Sequence, residues 1–287
     1  MTVKPWHAIA SVLTVLAAPA LFVFEDLASG AILLVLGLLA AWYADRGGCE
    51  AACSVPIPKG LPKNDRPASL LRDISLITVG LIIIRTISLE ARLDNIGMIS
   101  FTVALGAAVI VPYTISRFVY KDRAVSFPWR TGEKWSFFQW GWLALVMVLA
   151  WLILPWYFIT SGVYQNWPAI SDANEISRLF IGVGAVGIWD ELFFICIVFV
   201  VLLRHLPPWL ANVLQAVVFV SFLWELGYRE WGPALTIPFA LIQGYIFLRT
   251  KSLAYVVSTH LLFDAVVFAV LVHAHNPHLF DFFLVRA

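Results

Sequence analysis

A chain of 287 residues that is 61% hydrophobic and 13% charged lies outside the range of a soluble globular domain. Its formal net charge of +1 argues against a nucleic-acid partner, and three cysteines are too few for a disulfide framework. Apolar runs long enough to cross a bilayer recur along it, so the fold class is an all-α, polytopic transmembrane helix bundle. Such a chain is an integral, multi-pass protein of a plasma or inner membrane, with the lipid bilayer as its first partner.

Hydrophobic runs and the breakers between them predict nine spans, at roughly residues 7–24, 28–43, 73–90, 96–118, 136–158, 176–203, 209–226, 233–248 and 253–272. The second and eighth are short enough to be tilted or partly embedded, and eight spans is the alternative count. The first run, with Ala17, Ala18 and Ala20, has the make-up of a signal peptide. A retained helix fits it better, because the chain turns straight into another hydrophobic segment.

Lys and Arg set the orientation. Arg46, Lys59, Lys63, Arg66 and Arg72 fall in the connection 44–72, and Arg117, Lys121, Arg123, Arg130 and Lys134 in the connection 117–134. With Lys4, Arg204, Arg249 and Lys251 they lie on one side of a nine-span bundle. The expected topology is N-terminus in and C-terminus out. Residues 44–72, rich in proline and charge, read as a cytoplasmic linker. Cys49 and Cys53 in it are incidental thiols before they are a metal or lipidation pair. Arg85 and Glu90, near the outer end of the third span, read as a surface pair.

Start and stop signals divide the second half. Asp172 with Glu175 has capping-box spacing before the sixth span. Pro207-Pro208 opens the seventh, Gly227 ends it, Gly232-Pro233 opens the eighth, and Ser252 can cap the ninth. The expected organisation is an N-terminal helical region at 1–170, a catalytic-type bundle at 171–275 and a tail at 276–287.

Within the sixth span stand two adjacent carboxylates, Asp190 and Glu191. A carboxylate at the middle of a membrane helix costs about 3 kcal/mol on insertion scales, so a pair needs a function. Glu225 lies on the seventh span, and His260 and Asp264 share one face of the ninth at i,i+4. At about 1.5 Å of rise per residue, Asp190, Glu225 and Asp264 reach a similar depth, with His260 slightly lower. The expectation is a buried site between helices.

This segment resembles the CAAX-protease and bacteriocin-processing family of intramembrane proteases, which includes the type II CAAX prenyl proteases. The family's Glu-Glu-x-x-x-Arg motif corresponds to Asp190-Glu191-Leu192-Phe193-Phe194-Ile195. Its Phe-x-x-x-His corresponds to Ser221-Phe222-Leu223-Trp224-Glu225, and its His-x-x-x-Asn/Asp to His260-Leu261-Leu262-Phe263-Asp264. Asp190, Ile195, Ser221 and Glu225 depart from the pattern; Glu191, His260 and Asp264 keep it. The resemblance covers about a third of the chain. It implies an intramembrane endopeptidase that cuts membrane-anchored proteins or peptides near a terminus with an activated water. The implied catalytic residues are Asp190, Glu191, Glu225, His260 and Asp264: Glu191 as base, helped by Asp190 or Glu225, and His260, oriented by Asp264, on the oxyanion.

Charge counting adds a metal to the expectation. Four ionised carboxylates with one neutral imidazole would carry about −4 in a dry site. Either some acids keep their protons or a divalent cation (Zn, Mn or Fe) is held by some of Glu191, Glu225, His260 and Asp264. Two other functions fit the same residues. One is a pseudoprotease whose pocket binds a lipid, a peptide or a membrane partner. The other is a small transporter or proton relay.

Overall fold

The computed structural model describes residues 4–46, 68–130, 132 and 134–286. Cys49, Cys53 and most of the proline-rich linker lie outside them. Among the described residues nine long helices follow one another. They are α1 (Pro5–Phe22), α2 (Leu27–Arg46), α3 (Leu70–Ile84), α4 (Asn95–Thr114), α5 (Phe137–Pro155), α6 (Ala173–Asp190), α7 (Pro208–Leu226), α8 (Gly232–Thr250) and α9 (Leu253–His275). Three run on without a break as π-helix: α4 over Ile115–Tyr120, α5 over Trp156–Thr160 and α6 over Glu191–Phe199. After its π segment α6 finishes in an α turn, Val200–Leu203.

Seven of the nine are long and apolar enough to cross a membrane. The two that fall short differ in cause. α3 has only 15 residues, about 22 Å of helix, and stops at Ile84 where the sequence predicts a span to residue 90. α8 has 19 residues but carries Pro238, Gln243, Gly244 and Arg249 among its apolar ones.

The helix ends obey the local chemistry. Asp94, Ser136, Asp172 and Ser252 cap α4, α5, α6 and α9 with their side-chain oxygens. Gly227 follows α7 with φ +128°, a conformation open to glycine alone, against the ring of Trp167. Asp45, near the end of α2, accepts from Ser69 Oγ at 2.7 Å and Leu70 N at 3.0 Å, which fastens the start of α3.

α6 is the axis of the bundle. Its run from Phe193 to Phe199 is no more than 2% exposed, because α3, α4, α7, α8 and α9 all pack on it. A helix apolar all round has to be surrounded in this way. Gly80 of α3 leaves the space that the Phe193 ring fills; a Cβ there would stand 2.4 Å from it. Large exposed side chains such as Phe137, Val103, Ile99 and Leu39 lie on α2, α4 and α5, the helices at the rim.

One end of α6 is tied by a buried polar network. Arg204 Nη1 donates to Asp73 Oδ1 at 2.7 Å, and His205 Nε2 lies 2.6 Å from Asp73 Oδ2. Arg204 also stands 3.5 Å from Asp122 Oδ2, while Asp122 Oδ1 accepts from Ser116 Oγ at 3.1 Å and Ala124 N at 3.2 Å. Asp73 and Asp122 are 0% and 1% exposed, so the network joins α3, α6 and the connection after α4 in a dry interior.

Candidate functional site

The switch from α- to π-helix falls between the two adjacent carboxylates. Asp190 closes the α ladder, and Glu191 opens the π ladder. π segments of this kind concentrate at functional sites. The switch is held from both sides. Trp189 Nε1 donates to Leu105 O of α4 at 2.7 Å, and the Trp189 ring stacks on Phe193 with centroids 5.2 Å apart.

Glu191 is 2% exposed and engaged on one oxygen. Its Oε1 lies 2.7 Å from His260 Nδ1 and accepts from Gln243 Nε2 at 2.8 Å. Gln243 Nε2 also donates to Val256 O at 3.1 Å, so this one amide ties α6, α8 and α9 together. The other edge of the imidazole faces two further carboxylates. His260 Nε2 is 3.6 Å from Asp190 Oδ2 and 3.8 Å from Asp264 Oδ1. Asp190 Oδ1, Glu191 Oε2 and Asp264 Oδ2 have no hydrogen-bond partner among the described residues.

Gly187 makes this convergence sterically feasible. A Cβ at that position would lie 1.9 Å from Asp264 Oδ2 and 3.5 Å from His260 Cδ2. Only a residue without a side chain lets α9 bring its acid so close to the backbone of α6.

Asp190, His260 and Asp264 line the inner end of a cavity of about 320 Å³ that runs between α4 and α6. Phe101 and Leu105 of α4 and Val183 and Val186 of α6 form apolar walls, and Arg92 and Arg178 stand among the residues at its far end. A second cavity, about 310 Å³, lies between α5 and α8 and reaches Gln243 and Thr259. Phe239 and Phe263 line both, with ring centroids 4.8 Å apart, and Phe239 lies 4.9 Å from the His260 ring.

Four of the five predicted residues, Asp190, Glu191, His260 and Asp264, are therefore brought together, and Glu225 is not. Its Oε1 accepts from Arg85 Nη1 and from Leu89 N, each at 3.3 Å. The reason is helical phase. Phe219, Leu223 and Leu226 of α7 line the cavity, and residue 225 stands about 200° from residue 223 around the helix. The same contact corrects the expected Arg85–Glu90 surface pair: Arg85 is bound to Glu225, 140 residues away. The expected metal set of Glu191, Glu225, His260 and Asp264 does not assemble either. Glu225 is committed to Arg85, and Glu191 and Asp264 lie at opposite edges of the imidazole. Among the described residues no group of three or more His, Cys, Asp or Glu side chains is arranged to hold a metal ion.

Sequence reading passes over Gln243 and Gly187. Gln243 had a legible signal, as the lone amide in the apolar run Ala240–Phe247. Gly187 had none, since its role depends on which residue of α9 it meets.

With this geometry in view, the comparison with known families is informative. Residues 172–266 match the model of the family described as type II CAAX prenyl endopeptidase Rce1-like. This stretch is similar to that family. The match begins at the Asp172 cap of α6 and ends two residues past Asp264, so it contains all four clustered side chains and Glu225. The match covers about a third of the chain, and the apolar helices make the chain an integral multi-pass membrane protein. No curated protein and no solved structure matches the chain.

Proposed function

We propose that this protein is an intramembrane endopeptidase that hydrolyses membrane-anchored protein or peptide substrates with an activated water. The observation that carries the proposal is the relay Glu191–His260 aimed at Asp190 and Asp264, which line an apolar cavity. With the proton on Nδ1 held by Glu191, Nε2 of His260 keeps its lone pair toward the cavity and serves as general base. Glu191, which does not line the cavity, acts as a positioning residue, and Gln243 fixes its orientation.

The reaction balances within these groups. The water oxygen bonds to the scissile carbonyl carbon as its proton passes to His260 Nε2. The carbon–nitrogen bond then breaks as that proton is delivered to the leaving amine. Three carboxylates around one imidazole cannot all be charged in so dry a site, so a proton retained by Asp190 or Asp264 gives the oxyanion its donor. A divalent ion (Zn, Mn or Fe) is a separate proposal; Asp190, Asp264 and His260 are not arranged to hold one as they stand and would have to close around it. Bound there it would polarise the water. Chelator dialysis followed by zinc or manganese titration decides it, by saturable binding or its lack.

The test is cleavage of an acylated, membrane-anchored peptide by the protein in nanodiscs, with products read by mass spectrometry. His260→Ala and Asp190→Asn should abolish product while the thermal unfolding midpoint stays within a few degrees. The second reading, a pseudoprotease, is favoured by Glu225, which stands at the family's second-motif histidine but is turned to Arg85. It predicts that Glu191→Gln keeps the cellular role and that no peptide is cut by the wild type.

A further inference from the structure

Tyr228 lines the apolar cavity together with Asp190, His260 and Asp264. Its place is set by the end of α7. With φ +128° at Gly227 the chain turns back on the helix, Tyr228 N donates to Leu223 O at 2.9 Å, and Gly227 O accepts from Asn166 Nδ2 at 2.9 Å. Aromatic neighbours then hold the ring. Trp167 meets it edge-on with centroids 5.2 Å apart, Phe158 does so at 5.6 Å, and Tyr157 lies nearly parallel at 6.5 Å. Tyr157 Oη donates to Arg229 O at 2.8 Å, which fastens that wall to the same turn.

The hydroxyl is the part of Tyr228 that this packing leaves unused. The residue is only 8% exposed, yet among the described residues its hydroxyl has no hydrogen-bond partner. Other donors along the cavity are taken: Trp189 Nε1 by Leu105 O at 2.7 Å, and Thr236 Oγ1 by Gly232 O at 3.2 Å. A buried hydroxyl is costly to leave unpaired, so its partner is to be sought outside the chain. Burial, and after it Asp264, Tyr157 and Asp190, push the Tyr228 phenol well above its ordinary range, so it remains a neutral donor.

We propose that Tyr228 is a further catalytic residue of this site, donating a hydrogen bond to the carbonyl oxygen of the scissile peptide as that oxygen becomes an oxyanion. The proposal rests on the endopeptidase reading. As the water oxygen bonds to the carbonyl carbon and its proton passes to His260 Nε2, the carbonyl π pair moves onto its oxygen. The phenol, already oriented by its aromatic neighbours, meets that charge without giving up its own proton. The pair returns to the carbon when the carbon–nitrogen bond breaks. Tyr228 thus joins the proton retained by Asp190 or Asp264 as a second donor. A bond that strengthens as charge develops acts on the transition state more than on bound substrate, so its loss falls on kcat.

The experiment compares Tyr228→Phe with the wild type in nanodiscs, on an acylated, membrane-anchored peptide. Phenylalanine keeps the ring and its packing, so the unfolding midpoint should stay within a few degrees. The expected result is a kcat lower by about a hundredfold, with KM within about twofold. Tyr157→Phe is the control. It removes a hydroxyl from the same aromatic group and breaks the bond to Arg229 O, so it should lower the unfolding midpoint while kcat of the folded protein stays within a few-fold. A trifluoromethyl ketone built on the same peptide, whose hydrate mimics the tetrahedral oxyanion, should bind Tyr228→Phe about tenfold or more weakly than the wild type. Unchanged kcat, or a loss carried by KM alone, overturns the catalytic role and leaves the endopeptidase reading standing. If Tyr228→Phe proves less stable, the ketone measured on the folded fraction decides, and an equal Ki overturns the role. A wild type that cuts nothing sinks the endopeptidase reading and this proposal with it.

Discussion

A methyl group on Gly187 would stand 1.9 Å from Asp264 Oδ2, so Gly187→Ala must push α9 away from α6 or turn Asp264 out. Overpacking of this kind costs about 1–3 kcal/mol. The expected outcome is a lower unfolding midpoint together with loss of cleavage. Gly184→Ala is the control on the same helix: its Cβ would meet Leu261 Cδ2 at 3.9 Å, an ordinary contact, and activity should persist. Glu225→Gln separates the two placements of that residue. It removes one charge from the pair with Arg85 and should lower stability while leaving the turnover of the folded protein within a few-fold. A loss of turnover comparable to that of Asp190→Asn, with the fold intact, would return Glu225 to the catalytic group. Asp190, Glu191, His260 and Asp264 were legible in the sequence because an ionisable residue inside a span needs a partner. Glu225 obeyed the same rule and found a different one, an arginine on α3 that looked local to its own turn.

Among the elements, α3 departs most from its expected form, and the reason lies at its two ends. Asp73 in its first turn is tied to Arg204 and His205, and Arg85 at its last turn to Glu225. A helix pinned by an ion pair at each end need not span the whole apolar run. Asp73→Ala leaves Arg204 in the interior with only the 3.5 Å approach to Asp122. Breaking a buried pair from one side costs about 3–5 kcal/mol. The expected result is a drop of that size in urea or thermal unfolding, with a smaller loss for the double replacement Asp73→Leu, Arg204→Met. The existence of the nine helices was legible from apolar runs and caps, since Asp172, Gly227 and Ser252 act where their spacing predicts. The π segments were not, because no residue type marks a change from one ladder to the other.

On the scale of the whole molecule, the orientation expected from the Lys- and Arg-rich connections would put the Arg204–Asp73 network at the inner face and the mouth of the cavity, at Arg178, toward the outer one. This orientation is open to labelling. In intact cells a cysteine placed at Arg229 should react with an impermeant maleimide, and one at Lys121 should react only after permeabilisation. The opposite pattern inverts the protein and puts the mouth of the cavity toward the cytoplasm. The π segment of α6 bears on this arrangement. Asp190 and Arg204 stand on one unbroken helix, on either side of nine residues wound in a wider ladder. Their angular offset is set by that ladder and not by any contact between them. Removing a single residue from 191–199 would turn one half of α6 against the other by about 100°. The Asp190–His260 cluster and the buried arginine anchor could then not both stay seated, so the two ends of the bundle share a torsional phase that point substitutions leave alone and a one-residue deletion destroys.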